Sequence, residues 1–195
     1  MERIRLEIKR QPFHILLGLV LIALINNDLL NPAWLGVAII FAILGSVYVR
    51  KTKPRFFYGI LEHIERPNAL ENFPGKGFIF FLFGTMMVTM LFEKDIAMAA
   101  VMVLSFGDSF SRLIGPFGRI KHPFNDTRFL EGVMAGFVAA ALAAMLFVKP
   151  AEAIAASFFA MVIEGLDMKM MGYKIDDNVV IPVLAGAVIW LIRLV

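Results

Sequence analysis

The chain contains no cysteine, so disulfides, thiolate nucleophiles and cysteine-held metal sites are excluded. Charge is scarce too: 18% of the 195 residues are Asp, Glu, Lys or Arg and 59% are hydrophobic, against about a quarter charged and just under half apolar in ordinary soluble domains. The three histidines do not cluster, which argues against a zinc site. No G-x-x-x-x-G-K-[ST] sequence occurs, which excludes a P-loop. There is no soluble-type repeat, no low-complexity tract and no polar stretch long enough for a soluble domain.

What remains is apolar. Mean hydropathy is +0.78, and apolar runs of about 17 residues or more recur, long enough at 1.5 Å per residue to cross a hydrocarbon core of roughly 30 Å. Runs bounded by charge, Asn, Pro or Gly predict helices at about Phe13–Leu30, Trp34–Val49, Gly77–Phe92, Ile96–Ile114, Phe129–Val148, Ala151–Ile163 and Val179–Val195. The fold class is therefore an all-α integral membrane protein, a single domain over residues 1–195 built as a bundle of about seven transmembrane helices. The first run lacks a small-residue cleavage site and reads as a retained helix.

With the N-terminus inside, 16 of the 19 Lys and Arg residues fall in cytoplasmic segments, leaving Lys94, Lys149 and Arg193 outside. That split is a positive-inside signal and supports an odd number of spans. It also accounts for the pI near 9.3 without a nucleic-acid partner. The expected protein is multi-pass, in the cell membrane of a prokaryote or archaeon, with its site facing the cytoplasm, because the outer turns are short and the inner loops hold the polar residues. Between Arg50 and Lys76, Phe56, Phe57, Ile60, Leu61 and Ile64 recur at helical spacing beside Lys51, Lys53 and Arg55. This predicts a short amphipathic helix on the membrane surface; its basic residues serve either as anchors or as headgroup or nucleotide contacts.

The polar residues on apolar helices form three constellations. Asp108 sits 12 residues beyond Ile96, roughly 18 Å down a straight helix, where an ionisable group is expensive and faces protein or a water-filled cavity. Asp108, Arg112 and Gly115 share one face, with Ser111 beside them. Two readings stand: an Asp–Arg pair joining helices, or a site. The segment that follows, "GPFGRIKHPFNDTR", places Gly115 and Gly118 among Arg119, Lys121, His122 and Arg128, a pattern suited to phosphate plus metal. Glu131 then opens the next helix, where it is expected to reach the Asp108 site. Gly132-x-x-x-Gly136 reads as helix packing.

The second constellation, "EGLDMKMMGYKIDDNVVIP", carries Glu164, Asp167, Asp176, Asp177 and Asn178. Two readings stand for Asp177 and Asn178: helix capping, in which Asn178 as the cap of the last helix would put Pro182 at its fourth position, where a missing N–H costs no helical bond, or, with Asp176, the hard oxygen ligands that Mg2+ takes; both can hold. The third is "EIKRQPFHILLG", in which Glu7, Arg10 and His14 share one helix face, as a surface ion pair or as part of a site.

Taken together and in order, these residues resemble the signature of the CTP-dependent polyprenol and dolichol kinases, whose relatives include phytol kinases and a CTP-dependent diacylglycerol kinase. Gly107-Asp108, Gly115, Gly118-Arg119, Lys121 and Glu131-Gly132 are similar to the family's Gly-Asp, glycine and basic-loop elements. The N-terminal Glu7, Arg10 and His14 and the C-terminal Asp176, Asp177, Asn178 and Pro182 are similar to its two other recurrent elements. Arg128-Phe129 stands where the family commonly has Lys followed by Ser or Thr, which keeps the charge and loses a hydroxyl.

The resemblance implies transfer of the γ-phosphoryl group of CTP to the terminal hydroxyl of a polyprenol such as dolichol, with Mg2+, at the cytoplasmic face, giving the lipid phosphate that serves protein glycosylation. It implies Asp108 as metal ligand or base and Glu131 as a second catalytic residue that orients a base or a metal-bound water. Asp176 and Asp177 join Asp108 as metal ligands, and Asn178 contacts the nucleotide. Arg10, Arg112, Gly115, Gly118, Arg119, Lys121 and Arg128 form the nucleotide and phosphate site, with Glu7, His14 and Ser111 behind them. The more distant phosphatidate cytidylyltransferases share part of this layout, so CDP-lipid synthesis is the alternative chemistry. A phytol- or diacylglycerol-type acceptor is an alternative substrate, and a non-catalytic carrier is the alternative class.

Overall fold

A computed structural model describes residues 2–194 except 66, 124, 167–168, 171–172 and 175, and describes only the backbone of residues 2–5, 63, 68, 126–127, 169–170 and 173–174. Asp167 therefore lies outside the described residues. The seven apolar runs are helices: α1 (Glu2–Asn26), α2 (Pro32–Thr52), α5 (Lys76–Leu91), the continuous rod of α6 (Lys94–Met102), a π-type segment (Val103–Asp108) and α7 (Ser109–Ile114), then α8 (Leu130–Ala144), α9 (Pro150–Gly165) and α10 (Asp177–Leu194). Two short helices, α3 (Arg55–Ile64) and α4 (Pro67–Asn72), lie between α2 and α5. A 3-10 turn (Gly115–Phe117) and two hairpins complete the described elements: β1 (Lys121–His122) with β2 (Asn125–Phe129), and β3 (Lys169–Met170) with β4 (Tyr173–Lys174).

Local chemistry sets the boundaries. The Asn31 carboxamide accepts the Trp34 N–H at 3.1 Å and Pro32 takes the first position of α2, where its missing N–H is one of the orphans anyway. The helix ends at Lys53, in the left-handed region at φ 44°. α1 begins well before the expected Phe13 and runs through Pro12. A proline loses one helical bond and kinks rather than stops a helix when both flanks are supported. The upstream flank has that support: Glu7 accepts from Arg10 at 3.3 Å and from Gln11 at 2.7 Å, pairs at helical spacing.

α10 corrects another expectation. The cap is Asp176, whose Oδ1 accepts the Asn178 N–H at 3.2 Å and the Asn178 side-chain amide at 2.9 Å. Pro182 thus sits inside α10 and deprives the Asn178 carbonyl of its helical donor. That carbonyl lies against Gly84 of α5, where a Cβ would come within 2.0 Å of it. Glycine is what lets α5 approach the break in α10.

Successive long helices alternate direction, and ion pairs mark one end. Arg193 near the end of α10 meets Asp95 at 2.7 Å, Glu152 at 3.2 Å and Glu93 at 3.5 Å, and Lys94 meets Asp28 at 2.6 Å. The α6–α7 rod is the centre: residues 96–105 are all buried, and 78% of its apolar window is inside the protein, against 17–28% for α1, α2 and α10. Small residues let its neighbours close in. A Cβ on Gly132 would lie 2.7 Å from the Gly115 Cα and the Ser111 carbonyl, and one on Gly136 would lie 2.6 Å from the Gly107 carbonyl; the Gly132-x-x-x-Gly136 pattern is thus a packing seam between α8 and the rod.

Among the described residues, four helices are long and apolar enough to cross a membrane: Leu6–Asn26, Pro32–Thr52, Lys94–Phe117 and Asp177–Leu194, while Lys76–Leu91 and Leu130–Ala144 are apolar but shorter. Their outward faces carry large apolar side chains such as Phe41, Leu142 and Leu191, a surface compatible with lipid as solvent. The amphipathic helix expected after α2 is α3, with Phe56, Phe57 and Ile60 exposed.

Candidate functional site

At the end of the bundle opposite the Arg193 cluster, the central rod, α1, α9, α10 and β2 converge on a buried polar centre. The π-type segment carries Asp108 at its last position. Such a segment inserts an extra residue into the helical ladder and often marks functional sites; it aims Asp108, and then Ser111 and Arg112 on α7, at the junction of α9 and α10. The last turn of α9 supplies Glu164 and the first turn of α10 supplies Asp177. Strand β2 brings Arg128 from the other side.

One oxygen each from Asp108, Glu164 and Asp177 lies within 4.8 Å of the other two. Arg112 bridges two of these acids, donating from Nε to Asp108 Oδ1 at 2.6 Å and from Nη2 to Asp177 Oδ2 at 2.7 Å. Arg128 Nη2 is 2.5 Å from Glu164 Oε1 and 3.6 Å from Asp177 Oδ2. Ser111 Oγ donates to the other Glu164 oxygen at 3.1 Å. His14 of α1 completes the ring, its Nε2 3.8 Å from Asp108 Oδ2, too far for a hydrogen bond. Two guanidinium charges thus face three carboxylates.

The chemistry of this donor set fits a hard divalent cation. Buried like charges this close are repulsive unless compensated, and the two arginines leave one negative charge over. Glu164 Oε1, fully buried, is held by the Arg128 guanidinium, whereas the buried His14 Nε2 has no hydrogen-bond partner and faces Asp108 Oδ2. Carboxylate oxygens with open positions are what Mg2+ takes while retaining water.

The structure brings together six residues singled out from sequence: His14, Asp108, Ser111, Arg112, Arg128 and Asp177. Arg10 and Glu7 lie one and two turns before His14 on α1, paired with each other. Gly115 is buried beneath Gly132.

Other residues take different places. Glu131 does not reach the acid cluster; its carboxylate accepts the Arg119 N–H at 2.7 Å and the Ile120 N–H at 3.1 Å. Gly118 makes room for it, since a Cβ there would lie 2.6 Å from Glu131 Oε2. Arg119 and Lys121 are exposed on that loop. Asp176 stands apart from the three clustered acids, as the cap of α10 and 3.3 Å from Lys76 Nζ, and Asn178 is its capping partner. Outside the long helices, burial pushes the Glu65 carboxyl up, opposed by the Gly75 N–H and by Arg10.

Glu164 joins the cluster although the sequence pattern assigns it no role in the site. Its signal was an acid in the last turn of an apolar helix, where charge is costly unless paired.

Over 185 residues the chain is 26% identical to an uncharacterized protein of the archaeon Methanocaldococcus jannaschii, covering 94% of this chain and 92% of that one. No family model matches the chain, and no solved structure matches it.

Proposed function

We propose that this chain is an integral membrane phosphotransferase that moves the γ-phosphoryl group of CTP to the hydroxyl of a polyprenol-type lipid at the cytoplasmic face. The observation that carries this reading is the buried cluster of Asp108, Glu164 and Asp177 interleaved with Arg112 and Arg128, at the end of the bundle where the basic residues gather. In this reading all seven long helices cross the membrane, with the N-terminus inside.

Phosphoryl transfer needs positioning and charge neutralisation more than covalent chemistry. Asp108, Glu164 and Asp177, in place of the expected Asp176, would hold Mg2+, which would supply neutralisation of the phosphate oxygens when bound. Arg112 and Arg128, already inside the cluster, orient and balance the carboxylates and offer remaining N–H donors to phosphate. Asp108 Oδ2, the oxygen not bonded by Arg112, accepts the proton of the lipid hydroxyl as its oxygen bonds to the γ-phosphorus and CDP leaves. His14 flanks that oxygen and restricts where the hydroxyl sits. The choice of CTP and of a polyprenol follows from the resemblance to the kinase family, since nothing in the cluster reads cytosine or an isoprenoid.

Label transfer tests the reaction. With purified chain, Mg2+ and a polyprenol, label from γ-labelled CTP is expected in the lipid fraction, and label from α-labelled CTP is not. Entry of the α label alone, with a lipid phosphate as acceptor, would replace the kinase by a cytidylyltransferase.

A further inference from the structure

We propose that residues 114–121, the segment joining the central rod to β1, dock on the headgroups of anionic lipid and seat the mouth of the site at the membrane surface. The inference rests on the membrane reading above and not on the kinase chemistry. Ile114, Phe117 and Ile120 are 41%, 67% and 60% exposed, an apolar patch on a loop that also exposes Arg119 and Lys121. Glu131 fixes the arrangement by accepting the backbone N–H groups of Arg119 and Ile120, and the Ile120 carbonyl accepts the Leu130 N–H at 2.9 Å. With its backbone satisfied inward, the loop presents its side chains outward.

Aromatic and aliphatic side chains beside Lys and Arg, at the end of an apolar helix, match the boundary between acyl chains and phosphates. The patch continues the apolar rod, which as a candidate span ends at Phe117. A second patch of the same chemistry lies at the same end on α3, where Phe56 and Phe57 are exposed next to exposed Lys51, Lys53 and Arg55. α3 and α7 both pack against α1. One lipid surface meets both patches together, which favours lipid over a protein partner. The basic residues expected to hold nucleotide thereby acquire phosphate partners of another kind, those of headgroups.

Tryptophan fluorescence of the full-length chain in nanodiscs tests this. Trp34 and Trp190, 60% and 46% exposed on the long helices, report the membrane reading by themselves: quenching by acyl-chain-brominated lipid is expected in the unaltered chain. In a W34F/W190F background, F117W is expected to emit at short wavelength, to lose emission with brominated lipid, and to resist iodide. That quenching is expected to rise when phosphatidylglycerol replaces phosphatidylcholine, and to lose this dependence with R119Q/K121Q. Iodide-sensitive, lipid-insensitive emission from F117W would overturn the docking proposal while leaving the membrane reading intact. Emission reached by neither quencher would assign the patch to protein cover and also overturn it. Unchanged lipid dependence in R119Q/K121Q would overturn the headgroup contact.

Discussion

Asp108→Asn is expected to lower turnover about 100- to 1000-fold, the cost typical of removing one preorganised electrostatic group from a reaction centre, in a chain that still folds. The amide keeps the shape of the side chain and can still accept from Arg112, whose other nitrogen stays on Asp177. What it loses is the negative charge facing His14 and the acceptor for a hydroxyl proton. Initial rates with saturating lipid and CTP, paired with thermal unfolding in detergent, check both halves. Full activity would remove Asp108 from the reaction; failure to accumulate folded protein would make the Asp108–Arg112 pair a structural joint.

Arg128→Gln is expected to act on stability, by about 3–5 kcal/mol, because it leaves a buried carboxylate without its counter-charge. Glu164 has no side-chain exposure and lies 2.5 Å from the guanidinium. The second change Glu164→Gln in the same chain removes the orphaned charge, so the double variant is expected to recover most of the loss, a coupling that a double-mutant cycle in detergent measures. Added Mg2+ is expected to recover part of it in the single variant, since the cation supplies positive charge at the same place. Additive effects of the two substitutions would mean that the pair is not coupled.

The helices were legible because apolar runs bounded by Pro, Asn and charge are a strong local signal. All seven are helical, and α3 shows its apolar face where periodicity placed it. Boundaries were less so. The helical pairs of Glu7 with Arg10 and Gln11 carry α1 back through Pro12, a gain that a rule treating proline as a stop misses. The cap of α10 went to Asp176 over Asn178 because both are good caps and only the backbone decides which carbonyl begins the ladder. Within the site, Asp108, Ser111 and Arg112 were legible as one face of one helix. Glu164 meets Ser111 across 53 residues of chain, a contact no local pattern encodes. The outward turn of Arg119 and Lys121 and the inward turn of Arg128 depend on the β1–β2 hairpin, whose irregular register breaks the alternation that would have told them apart.

The central claim is that Asp108, Glu164 and Asp177 form a cation site and not only an ion-pair joint between helices. Electron paramagnetic resonance of Mn2+ titrated into the purified full-length chain tests it most directly, with Mn2+ standing in for Mg2+ on oxygen ligands. The expected result is suppression of the free-ion signal until one ion per chain has been added, with suppression lost in both Asp108→Asn and Glu164→Gln. A free-ion signal from the first addition to the unaltered chain, or equal suppression in the two variants, would contradict it.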